Sequence, residues 1–184
     1  MKTTPKDDQY SSNFSLDELE LAIKDMKPGK AAGFDGFYSE FVKNFKKEAK
    51  LWLLSFYNDI LNRGKIPKEF KRAKILGVVK PGKDGNAPSD YRPISLLSIL
   101  YKLFERLILN RLKPIVEDKF PIEQAGFRSH RSCNEQITAL SSSIENGFQR
   151  GKKTMVVFVD LTAAYDTVWR KGLLVKFLKS LHFE

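Results

Sequence analysis

Cysteine is nearly absent. Cys133 is the only one in 184 residues, which excludes an internal disulfide and any cysteine-rich zinc site and fits a reducing compartment. Histidine is almost as scarce, with only His130 and His182, so carboxylates and backbone must carry any catalysis. No apolar run approaches the ~20 residues of a membrane span, and the N-terminal MKTTPKDDQYSSN has no apolar signal core. These absences predict an intracellular protein, in nucleus or cytoplasm, neither secreted nor in a membrane. Lys46-Lys47 and Lys152-Lys153 are too short to serve as import signals that would choose between the two. Acid is the minority charge: 22 Asp and Glu against 32 Lys and Arg leave a net +10, which points to a polyanionic partner such as nucleic acid. What is plentiful is apolar. Hydrophobic residues make up 42%, too many for disorder along most of the chain and enough for one ordinary domain with a core.

The first dozen residues read as a loose tail. Ser15-Leu16-Asp17-Glu18 is a capping-box pattern with Phe14 and Leu19 placed as a hydrophobic staple, predicting a helix from Leu16 to about Met26 that stops at Lys27-Pro28-Gly29. Gly29–Glu40 reads as a loop into a second helix, apolar at Phe41, Val42, Phe45, Leu51, Trp52, Leu54, Phe56 and Ile60 and ending near Arg63-Gly64. Ala73–Val79 and Tyr91–Leu97 read as the arms of a β-hairpin around a polar tip, Pro81–Ser89. Pro93 cannot donate to a ladder, so its arm should be an edge or irregular there. A helix from about Ile99 to Leu112 has one apolar face and Pro114 to end it. After a loop at Pro121–Arg131, Ser132-Cys133-Asn134-Glu135 is a second capping box, opening a helix to about Gln149. A buried strand at Met155–Val159 and a final helix at Lys171–Leu181 complete the reading, with no repeat and no low-complexity segment. The sequence stops directly after that helix, which reads as truncation.

Thr154–Val168, TMVVFVDLTAAYDTV, has the order of parts of a polymerase active site. An apolar strand delivers Asp160 at its end, and Tyr165 and Asp166 follow five and six residues later. A carboxylate at the end of a buried strand is costly unless it has a job such as holding a cation. Magnesium suits that job beside a triphosphate because it prefers hard oxygen ligands. The plainer readings stay open on the residues alone: Asp160 as one strand-end Asp among many, Tyr165 as a core aromatic, Asp166 as a helix cap or ion-pair partner.

Two further constellations stand out. Between Arg63 and Lys83 lie Arg63, Lys65, Lys68, Lys71, Arg72, Lys74, Lys80 and Lys83 with Glu69 the lone acid, either a solvated face or a phosphate clamp. Lys80 and Lys83 sit at the hairpin tip and Arg92 on the return arm, where flexible cations can fold over a triphosphate and neutralise the leaving group. Gln124-Ala125-Gly126-Phe127-Arg128, with His130 and Arg131, has the composition of a loop that grips a backbone and stacks a base, or of a charged helix-entry loop. Gly29–Gly36, flanked by Lys27 and Lys30, allows close backbone approach.

Together these segments resemble the reverse transcriptase of non-LTR (LINE-type) retrotransposons, jockey-like elements in particular, colinearly from about Lys24 to Leu178. GKAAGFDGF is similar to that family's K-A-x-G-P-D-G element, with Phe34 in place of proline. GVVKPGKD followed by YRPISLLSILYKLFERLILNRL resembles its fingers hairpin and following helix. QAGFRSHRSCNEQI resembles its next block, and FVDLTAAYDTV its palm motif A.

The resemblance implies an α/β fold, the fingers and part of the palm of a right-hand polymerase, truncated before the second catalytic motif. Residues 1–13 would be a disordered tail, 14–70 an N-terminal helical extension, 71–150 the fingers and 151–184 the start of the palm. It implies that Asp160 is a catalytic, metal-binding carboxylate with the Leu161 carbonyl as second ligand, for Mg2+ or Mn2+. It also implies that Lys80 and Arg92 grip the dNTP and that Tyr165 crowds the sugar 2′-carbon. Gln124, Gly126, Phe127 and Arg128, with Gly33 and Gly36, would lie near the template. The expected substrates are an RNA template, a DNA primer and dNTPs. The family's aromatic-x-Asp-Asp element has no counterpart here, since Asp7-Asp8 is the only Asp-Asp pair. Palm and thumb sequence is therefore expected downstream, and the chain should be inactive alone. Two other readings compete. One is a non-catalytic, basic RNA-binding module from a decayed element. The other is a generic phosphotransfer or nuclease domain, for which the only acids after Asp160 are Asp166 and Glu184.

Overall fold

The computed structural model describes residues 12–162 and 164–180. The expected tail lies outside them apart from Ser12 and Asn13, as does Leu181 at the end of the last predicted helix. The fold mixes helix and strand, and the described residues form two compact units, one ending at Pro114 and one beginning at Ile115. No helix among them is long and apolar enough to cross a membrane.

In the first unit, α1 (Leu16–Lys24) starts on a complete capping box. Ser15 Oγ accepts the Glu18 N–H at 3.2 Å, and Glu18 Oε2 accepts the Ser15 N–H at 2.7 Å. Phe14 and Leu19, the expected staple, are both buried. The long second helix is two helices, α2 (Ser39–Lys43) and α3 (Lys47–Arg63). They part at Asn44, whose side-chain Nδ2 shares the Glu40 carbonyl with the Asn44 N–H at 2.7 and 3.1 Å, and the next N–H, of Phe45, turns to the Val42 carbonyl at 3.2 Å. Gly64 ends α3 in the left-handed region (φ 61°), its N–H on the Ile60 carbonyl at 3.0 Å.

A 3-10 turn at Lys68–Lys71 leads into β1 (Ala73–Val79), and a second at Pro88–Asp90 precedes β2 (Tyr91–Leu97). The two strands pair antiparallel from Ala73↔Leu97 to Val79↔Tyr91. Pro93 lies opposite Gly77 in an uninterrupted register, so the arm is regular. The Lys80 N–H reaches the Asp90 carbonyl at 2.7 Å, which makes every second pair from there a hydrogen-bonded one and leaves Gly77↔Pro93 a non-bonded one. The missing proline N–H therefore faces out of the ladder and costs it nothing.

Helix α4 (Ile99–Val116) runs through Pro114 and ends within the next turn. Proline removes one hydrogen bond and crowds the preceding turn, so the expected stop moves a few residues along rather than disappearing. The core gathers Phe14, Leu19, Ile23, Leu53, Tyr57, Phe70, Leu103, Phe104 and Leu107 from α1, α3, α4 and the turn at Phe70. Each such side chain contributes about 1.5–3 kcal/mol by leaving water. Phe104 meets Phe14 edge-on at 6.1 Å and Tyr57 at 5.4 Å. Burial pushes the Tyr57 phenol far above its ordinary range, and its O–H donates to the Leu100 carbonyl at 2.7 Å.

The second unit holds α5 (Cys133–Gln149) and α6 (Arg170–Ser180). Ser132 caps α5 by accepting the Glu135 N–H at 3.2 Å, while the Glu135 carboxylate engages Arg131. The buried strand expected at Met155–Val159 does not form. Residues 152–161 carry no regular element, and Met155 and Phe158 are 89% and 84% exposed. A strand must pair its backbone groups, and β1–β2 is the only ladder among the described residues.

Candidate functional site

The hairpin is exposed along β1 and along β2 as far as Ser95, and pinned at its tip by Tyr91. Tyr91 O–H donates to the Gly85 carbonyl at 3.0 Å, and its ring lies where a Cβ on Gly77 would be 3.2 Å away. Strand alternation puts Arg92 on the opposite face from Tyr91, paired with Val78. The Arg92 guanidinium is exposed and has no hydrogen bond or ion pair among the described residues. Lys80 is arranged differently: its Nζ donates to the Ser89 carbonyl at 2.7 Å and so also closes the tip. Of these two cations, Arg92 is free among the described residues and Lys80 is folded onto the loop.

Beside the hairpin's base runs the Gly33–Gly36 loop, fastened by three contacts. A Cβ on Gly33 would sit 2.6 Å from the Leu97 carbon and the Ser98 nitrogen. The Ser98 O–H donates to Asp35 Oδ2 while Ser98 Oγ accepts the Leu100 N–H at 3.2 Å, joining the loop to the start of α4. The Arg72 guanidinium lies 3.7 Å over the Phe34 ring, a cation–π contact. Gly33 therefore serves an approach of the chain to itself. Gly36 (φ 71°) stands in open space. A cleft of about 620 Å3 lies between this loop and the strands, lined by Gly33, Gly36, Tyr38, Lys74, Leu76 and Leu96.

In the second unit the Gln124–Arg128 loop is organised by Arg128, whose side chain is mostly buried. Its Nε pairs with Glu117 at 3.0 Å, and its Nη1 donates to the Pro121 carbonyl at 2.9 Å and the Gln124 carbonyl at 3.3 Å. Gln124 Nε2 donates to the Gly126 carbonyl at 3.3 Å. The result is a frame that holds Phe127 in the left-handed region (φ 62°) with 98% of its surface exposed. An aromatic in that conformation is strained and needs its surroundings to hold it there.

Asp160, Leu161, Tyr165 and Asp166 are all exposed. The carboxylate of Asp160 is the hard oxygen donor that magnesium prefers. No group of three or more metal-ligating side chains exists among the described residues, however. A two-ion phosphoryl-transfer centre needs carboxylates from more than one element, so these residues do not fit a complete metal centre by themselves. The contacts that organise the loops, Arg72 on Phe34 and Arg128 on Glu117, have no sequence signal beyond the presence of a cation.

The sequence matches known proteins along most of its length. The profile of the family described as reverse transcriptase (RNA-dependent DNA polymerase) covers residues 78–182. A probable RNA-directed DNA polymerase from transposon BS of Drosophila melanogaster is 40% identical over 89% of this chain. The RNA-directed DNA polymerases from mobile element jockey of Drosophila funebris and Drosophila melanogaster are 34% and 33% identical over 88% and 90%. The chain spans 18% of the length of each of these three relatives. With the hairpin tip, β2 and the Asp160 segment inside the matched stretch, this chain belongs to the reverse transcriptase (RNA-dependent DNA polymerase) family, in its non-LTR retrotransposon branch.

Proposed function

We propose that these residues are the fingers and the first part of the palm of a retrotransposon polymerase that adds dNMPs to a primer 3′-hydroxyl on an RNA template. The observation that carries the reading is the exposed hairpin with an unpartnered Arg92. A guanidinium free of protein partners suits a bidentate grip on the triphosphate of an incoming dNTP. Lys80 would leave the Ser89 carbonyl for phosphate when the nucleotide arrives.

Asp160, with the Leu161 carbonyl, would contribute to a Mg2+ or Mn2+ site whose other carboxylates lie outside the described residues. Tyr165 would face the sugar 2′-carbon. Phe127 would stack a template base, with Gln124, Gly126 and Arg128 shaping its loop, and Gly33 and Gly36 would border the template more loosely. We assign residues 14–70 to a helical extension, 71–150 to the fingers and 151–184 to the palm, and place the protein in the nucleus or cytoplasm. The family match does not favour a purely non-catalytic RNA-binding module.

Primer extension on an RNA template, by a complete polymerase carrying these 184 residues, tests the reading. Arg92→Ala should raise KM for dNTP at least ten-fold with little effect on primer-template affinity, consistent with losing a charge-assisted contact worth ~1.5–3 kcal/mol. Asp160→Ala should abolish extension and leave folding intact. Continued extension by the Asp160 variant would remove that residue from the active site.

A further inference from the structure

We infer that the first unit contains a phosphate-binding pocket separate from the hairpin, between the loop after α1 and the exposed side of α4. It has a volume of about 200 Å3, with Lys27, Lys30, Lys102 and Arg106 converging on it and Asp25 as the only acid in its wall. That is below the ~300–1,000 Å3 of pockets that enclose a whole small molecule, and it fits one phosphate group better than a nucleotide.

The pocket is built rather than incidental. Ser39 is buried, and its hydroxyl donates to the Lys27 carbonyl at 3.1 Å. The Gly29 N–H donates to Glu40 Oε1 at 2.6 Å, which also depresses the Glu40 carboxyl. Two bonds thereby fix the Lys27–Lys30 loop to the start of α2, while buried Leu103 anchors α4 between Lys102 and Arg106. Lys102 and Arg106 stand at i and i+4 on one helix face, an arrangement that destabilises a helix through like-charge repulsion. None of the four cations has a hydrogen-bonded or ion-paired side chain among the described residues. Folding alone gives no reason for this repulsion, whereas a bound phosphate would relieve it. The guanidinium can grip two oxygens and the ammonium groups act as point charges.

Phosphate of this kind comes from an RNA backbone or from a free phosphate-bearing anion, and two probes separate the sources. Calorimetric titration of the 184-residue chain with pyrophosphate reads the free anion, and fluorescence anisotropy with a single-stranded RNA oligonucleotide reads the backbone. Lys102→Glu/Arg106→Glu is compared with Lys68→Glu/Lys71→Glu, an equal charge change outside the pocket. The pocket pair should weaken at least one probe by about ten-fold more than the control pair does. A selective loss of RNA assigns the site to backbone phosphate, and a selective loss of pyrophosphate assigns it to a free anion. Equal weakening by both pairs would mean a diffuse positive field and overturn the proposal, as would no binding of either probe to the unaltered chain. Circular dichroism checks folding, and if the double reversal unfolds the chain, Lys30→Gln should show the same selectivity. This site is read by anion and RNA binding to the pocket variants and the polymerase reading by primer extension with the Arg92 and Asp160 variants, so the two fail independently.

Discussion

Arg111 and Glu18 meet fork to fork: Nε donates to Oε1 at 2.7 Å and Nη2 to Oε2 at 2.9 Å. The same guanidinium donates to the Ser12 and Asn13 carbonyls and lies 4.3 Å over the Phe14 ring. One α4 side chain thus ties the approach to α1, the first turn of α1 and the edge of the core together.

Acid should loosen this joint. The Arg111 hydrogen bonds, followed by the Ser15 N–H, hold the Glu18 carboxyl below its ordinary value of 4.5, against the opposing effect of burial. A carboxyl depressed in the folded state adds stability that is present above 4.5 and lost as pH falls through the folded value. Thermal melts across that acidic window should show a smaller pH dependence for Glu18→Gln than for the unaltered chain. Equal slopes would mean that the pair is not coupled to folding.

Gly33 and Gly36 should respond differently to the same added methyl group. Gly33→Ala drives a Cβ into the backbone at Leu97–Ser98, a clash with no flexible partner to yield, and should cost about 1–3 kcal/mol. Gly36→Ala meets open space and should cost only the left-handed backbone penalty, roughly 1 kcal/mol. Urea midpoints for the two variants measure the difference. A Gly33→Ala chain no less stable than Gly36→Ala would mean that the loop does not press on the strand end.

Phe127 sets stability against binding. Phe127→Gly relieves a left-handed aromatic and should raise stability by about 1 kcal/mol. The same change should weaken single-stranded RNA binding, since a stacked base is worth ~1–3 kcal/mol. Melting temperature and anisotropy on one sample read both. A gain in stability without loss of RNA affinity would leave the strain without a binding role.

Local signals were legible in the residues. The Ser15–Glu18 box, the Ser132 cap, the hairpin arms and the Gly64 stop all depend on chemistry within a few positions, and each occurs where the pattern predicts. The misses depend on partners or on competition. Met155–Val159 has the composition of a buried strand, but a ladder needs a second strand that composition cannot supply. Asn44 marks the break between α2 and α3, its side chain sharing the Glu40 carbonyl with its own N–H, which apolar periodicity does not register. The pairing of Arg128 with Glu117 and its own loop's carbonyls was likewise not legible, because a guanidinium's partners are set by the fold.

A two-stranded sheet offers two open rims, and apolar side chains on both faces make this one adhesive. With its imide nitrogen turned outward, Pro93 removes a donor from the β2 rim, so an incoming strand would meet a gap in the middle of the row it tries to zip onto. A single residue thus makes the exposed hairpin a poor template for copies of itself.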